Sequence, residues 1–88
     1  MAKVWIPSLL QDLTDGNQVV SVPGSTVAEI VAQLERMYPG VKARLCEGEA
    51  LRRGIAVAID TQVVRSSLRA PVTDSSEVHF LPAIGGGQ

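Results

Sequence analysis

The chain has 88 residues, of which 45% are hydrophobic, and its eight basic and nine acidic side chains give a net charge of −1. That length bounds it to one domain, which buries roughly 60–65% of its unfolded surface, and the apolar content is well above that of a disordered chain. The charge balance excludes a nucleic-acid module built on a basic stripe, and no apolar run is long enough to span a bilayer.

Cysteine usage narrows the chemistry further. A single cysteine, Cys46, rules out an internal disulfide framework, and with one histidine, His79, the chain lacks the ligand set of a zinc or iron–sulfur site. Met1-Ala2-Lys3 runs straight into a strand-like pattern with no charged region leading into a signal-peptide core, so a cytoplasmic location is the default expectation.

In chain order, Lys3 to Pro7 reads as a short strand with Val4 and Ile6 on one face and Lys3 and Trp5 on the other. Leu9 and Leu10 follow, then Thr14-Asp15-Gly16-Asn17 as a turn, then a second strand over Gln18 to Val22 with Val20 and Val22 sharing a face. The pair predicts a hairpin closed off by Pro23-Gly24.

Thr26-Val27-Ala28-Glu29 matches a capping box, in which the hydroxyl and the carboxylate each satisfy an unpaired backbone N–H. Val27, Ile30, Val31 and Leu34 then recur at helical spacing, with Met37 or Tyr38 extending the stripe, and Pro39-Gly40 stops the helix. From Val41 to Arg53 the pattern is irregular, pinned to the core by Val41, Ala43, Leu45 and Leu51, with room for a short helical turn. Ile55 to Ile59 predicts a third strand with Ile55, Val57 and Ile59 inward, and Asp60-Thr61 turns the chain into a short edge strand over Gln62 to Arg65. Leu68 and Val72 are loop anchors, Thr73 to Ser76 is a turn, and Glu77 to Leu81 is the last strand with Val78 and Phe80 inward. A helix crossing between strands on one side of a mixed sheet is an α+β roll.

Three pieces of this pattern together resemble the ThiS/MoaD family of sulfur carriers, relatives of ubiquitin. They are the hairpin leading into Val22-Pro23-Gly24-Ser25-Thr26-Val27, the Tyr38-Pro39-Gly40 helix stop, and Glu77-Val78-His79-Phe80-Leu81-Pro82-Ala83-Ile84 running into terminal glycines. The resemblance spans nearly the whole chain and is greatest to the stand-alone carriers serving cysteine, homocysteine or secondary-metabolite sulfur incorporation. It implies a β-grasp domain over residues 1–84 and a flexible glycine tail over 85–88, with the first and last strands adjacent in the sheet centre.

The implied chemistry resides in the tail. In such carriers a ubiquitin-activating-type partner, which itself binds ATP and Mg, adenylates the terminal glycine carboxylate; sulfur then displaces AMP and leaves a thiocarboxylate that an acceptor biosynthetic enzyme consumes. The carrier does no catalysis and holds no cofactor of its own. Gly85, Gly86 and Gly87 correspond to the sulfur-carrying end, and glycine, lacking Cβ, can thread a narrow tunnel. Gln88 departs from the pattern, and a metal-dependent peptidase removing it would expose the Gly87 carboxylate.

Trp5, His79 and Leu81 then share the face away from the helix, with Ala58 keeping the neighbouring strand flat. Pro82 and Ile84 lie on the exit toward the tail, and the set forms a candidate partner-docking patch. The bland alternative has Trp5 and Leu81 covered by the Leu9–Leu10 segment or by loops. His79 has no nucleophile or second carboxylate recognisably arranged around it, and Cys46 has no activating neighbour in the sequence. Two other functions share the pattern: a protein modifier conjugated to lysines through the same tail, and an interaction module with no chemistry at its terminus.

Overall fold

The computed structural model describes residues 1–48, 50–64 and 68–82. Among these residues, seven strands and two α-helices, besides a 3-10 turn over Ser8–Leu10, run in the order β1 (Ala2–Trp5), β2 (Val19–Val22), α1 (Val27–Met37), α2 (Val41–Leu45), β3 (Cys46–Glu47), β4 (Ala50–Leu51), β5 (Ile55–Ile59), β6 (Gln62–Val64) and β7 (Glu77–Pro82). β1, β2, β5, β6 and β7 form one mixed sheet in the order β2-β1-β7-β5-β6, and β3-β4 is a separate hairpin. β1 and β7 lie side by side in parallel at the sheet centre, while the other pairs are antiparallel. This is the expected α+β roll, a β-grasp fold.

Alternation along the strands sorts their side chains into a core face and an outer face. Val4, Val20, Val22, Val57, Val78 and Phe80 are buried, as their spacing predicts. They meet the α1 stripe of Val27, Ile30, Val31 and Leu34, all four nearly fully enclosed. Ile55 and Ile59 are only partly buried against this core, because they sit toward the ends of β5. Met37 is exposed, and Tyr38 is the residue that extends the helical stripe.

The capping of α1 differs from the sequence reading in one arm. Thr26 Oγ1 accepts from Glu29 N at 3.2 Å as a capping box requires. The Glu29 carboxylate, however, accepts from Ser25 N and Ser25 Oγ at 2.8 and 3.0 Å. It reaches one residue further back, where a hydroxyl and an amide offer two donors. The next free helical donors, Val27 N and Ala28 N, are met by the carbonyls of Ala70 and Leu68, and Val72 N donates to Ser25 O. The loop before β7 is thereby clipped to the start of α1.

After α1 the irregular stretch is more ordered than its pattern suggests. Gly40 takes φ +105°, and the Glu35 carboxylate accepts from both Gly40 N and Lys42 N, so the chain restarts at once as α2. Val41, Leu45 and Leu51 are buried as expected, whereas Ala43 is exposed on the outer side of the five-residue helix. A helix that short shows too little periodicity to betray which face turns inward. Among the described residues no helix is long and apolar enough to cross a membrane.

Candidate carrier tail and docking face

The central strand β7 ends at Pro82, and the glycines follow it within six residues of sequence. Ile84, Gly85, Gly86, Gly87 and Gln88 lie outside the described residues, as does the boundary expected at 84/85. What the structure places is the face of the sheet that β7 shares with its neighbours.

Register brings five residues into one row across the whole outer face. Trp5 lies opposite Val19 and beside His79; His79 lies opposite Ala58, and Ala58 opposite Val63. The structure thus brings Trp5, His79 and Ala58 together, with Leu81 two residues further along β7 opposite Ala56. Pro82 closes the strand opposite Ile55.

The Trp5 and His79 rings stack almost parallel, with centroids 5.3 Å apart and planes 7° from coplanar. Trp5 Nε1 also donates to Glu77 Oε1 at 3.3 Å, so the Trp5 ring is held by two residues of β7. Ala58 is 7% exposed, Leu81 37%, and Trp5 and His79 are half-buried. Leu10 does not cover this face, since it is enclosed in the core cluster on the other side. Val63, 60% exposed, and Val19, 38% exposed, complete the row, and the sequence reading missed both. Only the strand register, which a single sequence does not reveal, aligns them with Trp5.

The other chemically capable groups are placed elsewhere. Cys46 is buried in the core cluster, and loss of solvation pushes its thiol above its ordinary pKa, with Lys42 and Arg52 pulling weakly the other way. Such a thiol is poorly nucleophilic. Arg44 pairs with Asp12 at 3.5 Å, and Arg52 Nε donates to Ala43 O at 3.0 Å. Among the described residues, no three His, Cys, Asp or Glu side chains are grouped to hold a metal ion.

The ThiS family matches residues 4–87, nearly the whole chain. The chain belongs to the ThiS family. Within it, the chain is similar to the sulfur carrier protein CysO of Mycobacterium tuberculosis, 33% identical over 96% of both chains, and equally to that of Mycobacterium bovis. Among solved structures, the Amycolatopsis orientalis BexX/CysO complex contains a chain of TM-score 0.90 and 38% identity, covering 99% of this chain and 100% of that one. Mycobacterium tuberculosis CysO superposes with TM-score 0.87 at 30% identity, covering 96% and 100%. The small archaeal modifier protein 1 of Methanosarcina acetivorans, at 23% identity and TM-score 0.77 over 98% and 95% of the two chains, shares the β-grasp fold. The ThiS-family pattern extends through Gly87 and leaves out Gln88.

Proposed function

We propose that this chain is a sulfur carrier whose working group is the Gly87 carboxylate, exposed once Gln88 has been removed. The observation that carries the reading is a family match that includes all three glycines and stops one residue short of Gln88. Whole-length similarity to sulfur carrier proteins supports it. A carboxylate repels nucleophiles, so it must first be activated. An adenylating partner that binds ATP and Mg joins the Gly87 carboxylate to AMP and releases pyrophosphate. A persulfide sulfur then attacks the acyl carbon and AMP leaves; a thiol cleaves the resulting acyl disulfide and frees the thiocarboxylate, which an acceptor enzyme consumes.

The chain's own residues bind and position. Trp5, Ala58, His79 and Leu81 offer the partner a flat, largely uncharged surface, with Pro82 and Ile84 between that surface and the glycines. The Amycolatopsis orientalis BexX/CysO complex pairs a carrier-type chain with another protein, which supports docking as this chain's mode of action. A metallopeptidase is the proposed agent of Gln88 removal.

The test incubates full-length chain and a Gln88 deletion with an adenylating enzyme, ATP and a sulfide source, read by intact mass. The deletion is expected to exchange one oxygen for sulfur, and the full-length chain is expected to remain unchanged. Equal conversion of both would refute the trimming step, and conversion of neither would refute the carrier reading. High-mass adducts in cells that vanish when Gly87 is changed would instead favour conjugation to proteins.

A further inference from the structure

The row Val19–Trp5–His79–Ala58–Val63 takes one residue from each of the five strands. At the usual strand spacing it runs about 19 Å. Its ends lie on the two edge strands, where proteins ordinarily place charge to block edge-to-edge pairing. Here the outward positions are Val63, 60% exposed, and Val19, 38% exposed. One exposed valine alone means little. A valine at each end of a row whose middle is a Trp–His stack and an alanine makes a continuous band.

The band has one polar border and one open side. On the side away from the tail, the next row runs Ser21, Lys3 and Glu77, and the Asp60 carboxylate accepts from Glu77 N at 3.1 Å. On the tail side the next pair is Ala56 and Leu81, both uncharged, and Leu81 is followed by the last residue of β7. Among the described residues, the apolar surface therefore continues from Val63 to β7, the strand that precedes residues 83–88 in the chain.

We propose that Val63 is a docking and specificity residue: the enzyme receiving the tail covers the outer face across its full width to edge strand β6, with an uncharged apolar wall, and stops at the Lys3–Glu77–Asp60 row. This rests on the carrier reading above. The occupant follows from where the chain goes after β7. A partner holding residues 83–88 meets the end of β7 first, and among the described residues no charge interrupts the outer face from Leu81 through Ala56 and Ala58 to Val63. Val63 stands two strands from β7 and its alkyl side chain carries no acid, base or nucleophile, so it acts on binding and not on the chemical step.

The experiment measures pyrophosphate release by the adenylating enzyme at varied concentrations of Gln88-deleted carrier bearing Val63→Glu, Val63→Thr, Trp5→Glu or Ser21→Glu. Circular dichroism of each variant confirms the fold. Val63→Glu is expected to raise KM about tenfold with kcat unchanged, Val63→Thr to raise it less, and Ser21→Glu to leave both parameters alone. If Trp5→Glu raises KM while both Val63 variants stay within about twofold of the parent, the footprint ends short of β6 and the inference falls, with the carrier reading intact. If the parent itself releases no pyrophosphate, the carrier reading and the inference fall together. Sedimentation covers the remaining occupant, a second copy of this chain. A parental dimer that Val63→Glu dissociates without altering KM would overturn the proposal.

Discussion

At the scale of single residues, the start of α1 shows how few atoms fix a helix end. Thr26 Oγ1 serves one orphan donor, and the Glu29 carboxylate ties down Ser25 just outside the helix. Thr26→Ala is expected to cost about 1 kcal/mol in urea denaturation. The two Ser25 donors, backbone first and hydroxyl second, hold the Glu29 carboxyl below its ordinary pKa of 4.5. A depressed carboxylate contributes stability above its unfolded pKa and loses it as pH falls through the folded value. The difference in stability between the parent and Glu29→Gln should therefore be present at neutral pH and fade below about pH 4. A difference that persists at pH 2 would mean Glu29 acts by packing. The Thr26-x-x-Glu29 spacing made the helix start legible, but it could not say that the carboxylate reaches Ser25, or that the carbonyls of Ala70 and Leu68, about forty residues on, serve Val27 N and Ala28 N.

At the scale of elements, legibility followed the length of the repeating pattern. β5, α1 and β7 show two or more periods of alternation or helical recurrence, and their cores sit where that recurrence puts them. α2, β3 and β4 are two to five residues long, too short for a period to emerge, and their shape is imposed by backbone conformation and by Glu35. Gly40 is the joint between α1 and α2. A Cβ there would meet only Leu13 Cδ1 and Cδ2 at 3.6 Å, an ordinary contact, so a substitution is not crowded. The cost lies in φ +105°, which an L-residue adopts reluctantly. Gly40→Ala is expected to lower unfolding stability by about 1–2 kcal/mol, read as a shift of the urea midpoint with no change in slope. An unchanged midpoint would show that the α1–α2 corner relaxes at no cost.

At the scale of the whole molecule, the resemblance expected β1 beside β7, and periodicity alone could not have paired them. They are joined in parallel register with Lys3 beside Glu77 and Trp5 beside His79, across more than seventy intervening residues. The sequence reading placed Trp5, Ala58, His79 and Leu81 on one face because alternation assigns faces within each strand and the resemblance implied that β1 and β7 are neighbours. It missed Val19 and Val63 because only the register between strands says which residues share a row. Contacts of such sequence separation also slow folding, since the loop between them must be ordered before the pairing is gained.

The central parallel pair has a consequence for how a carrier is selected. No contiguous stretch of the chain contains the Val19–Trp5–His79–Ala58–Val63 row; it comes into being only when five separate strands have found their register. A partner that reads this row inspects the finished tertiary structure before it touches the tail, and so rejects unfolded and nicked molecules that carry the same glycines. A peptide of residues 77–87, with the whole reactive end and one strand of the surface, is accordingly expected to be adenylated far less efficiently than the folded chain ending at Gly87. Comparable kcat/KM for the two would show that the glycines alone are recognised. On this view the sheet is the credential and the tail is only what it admits.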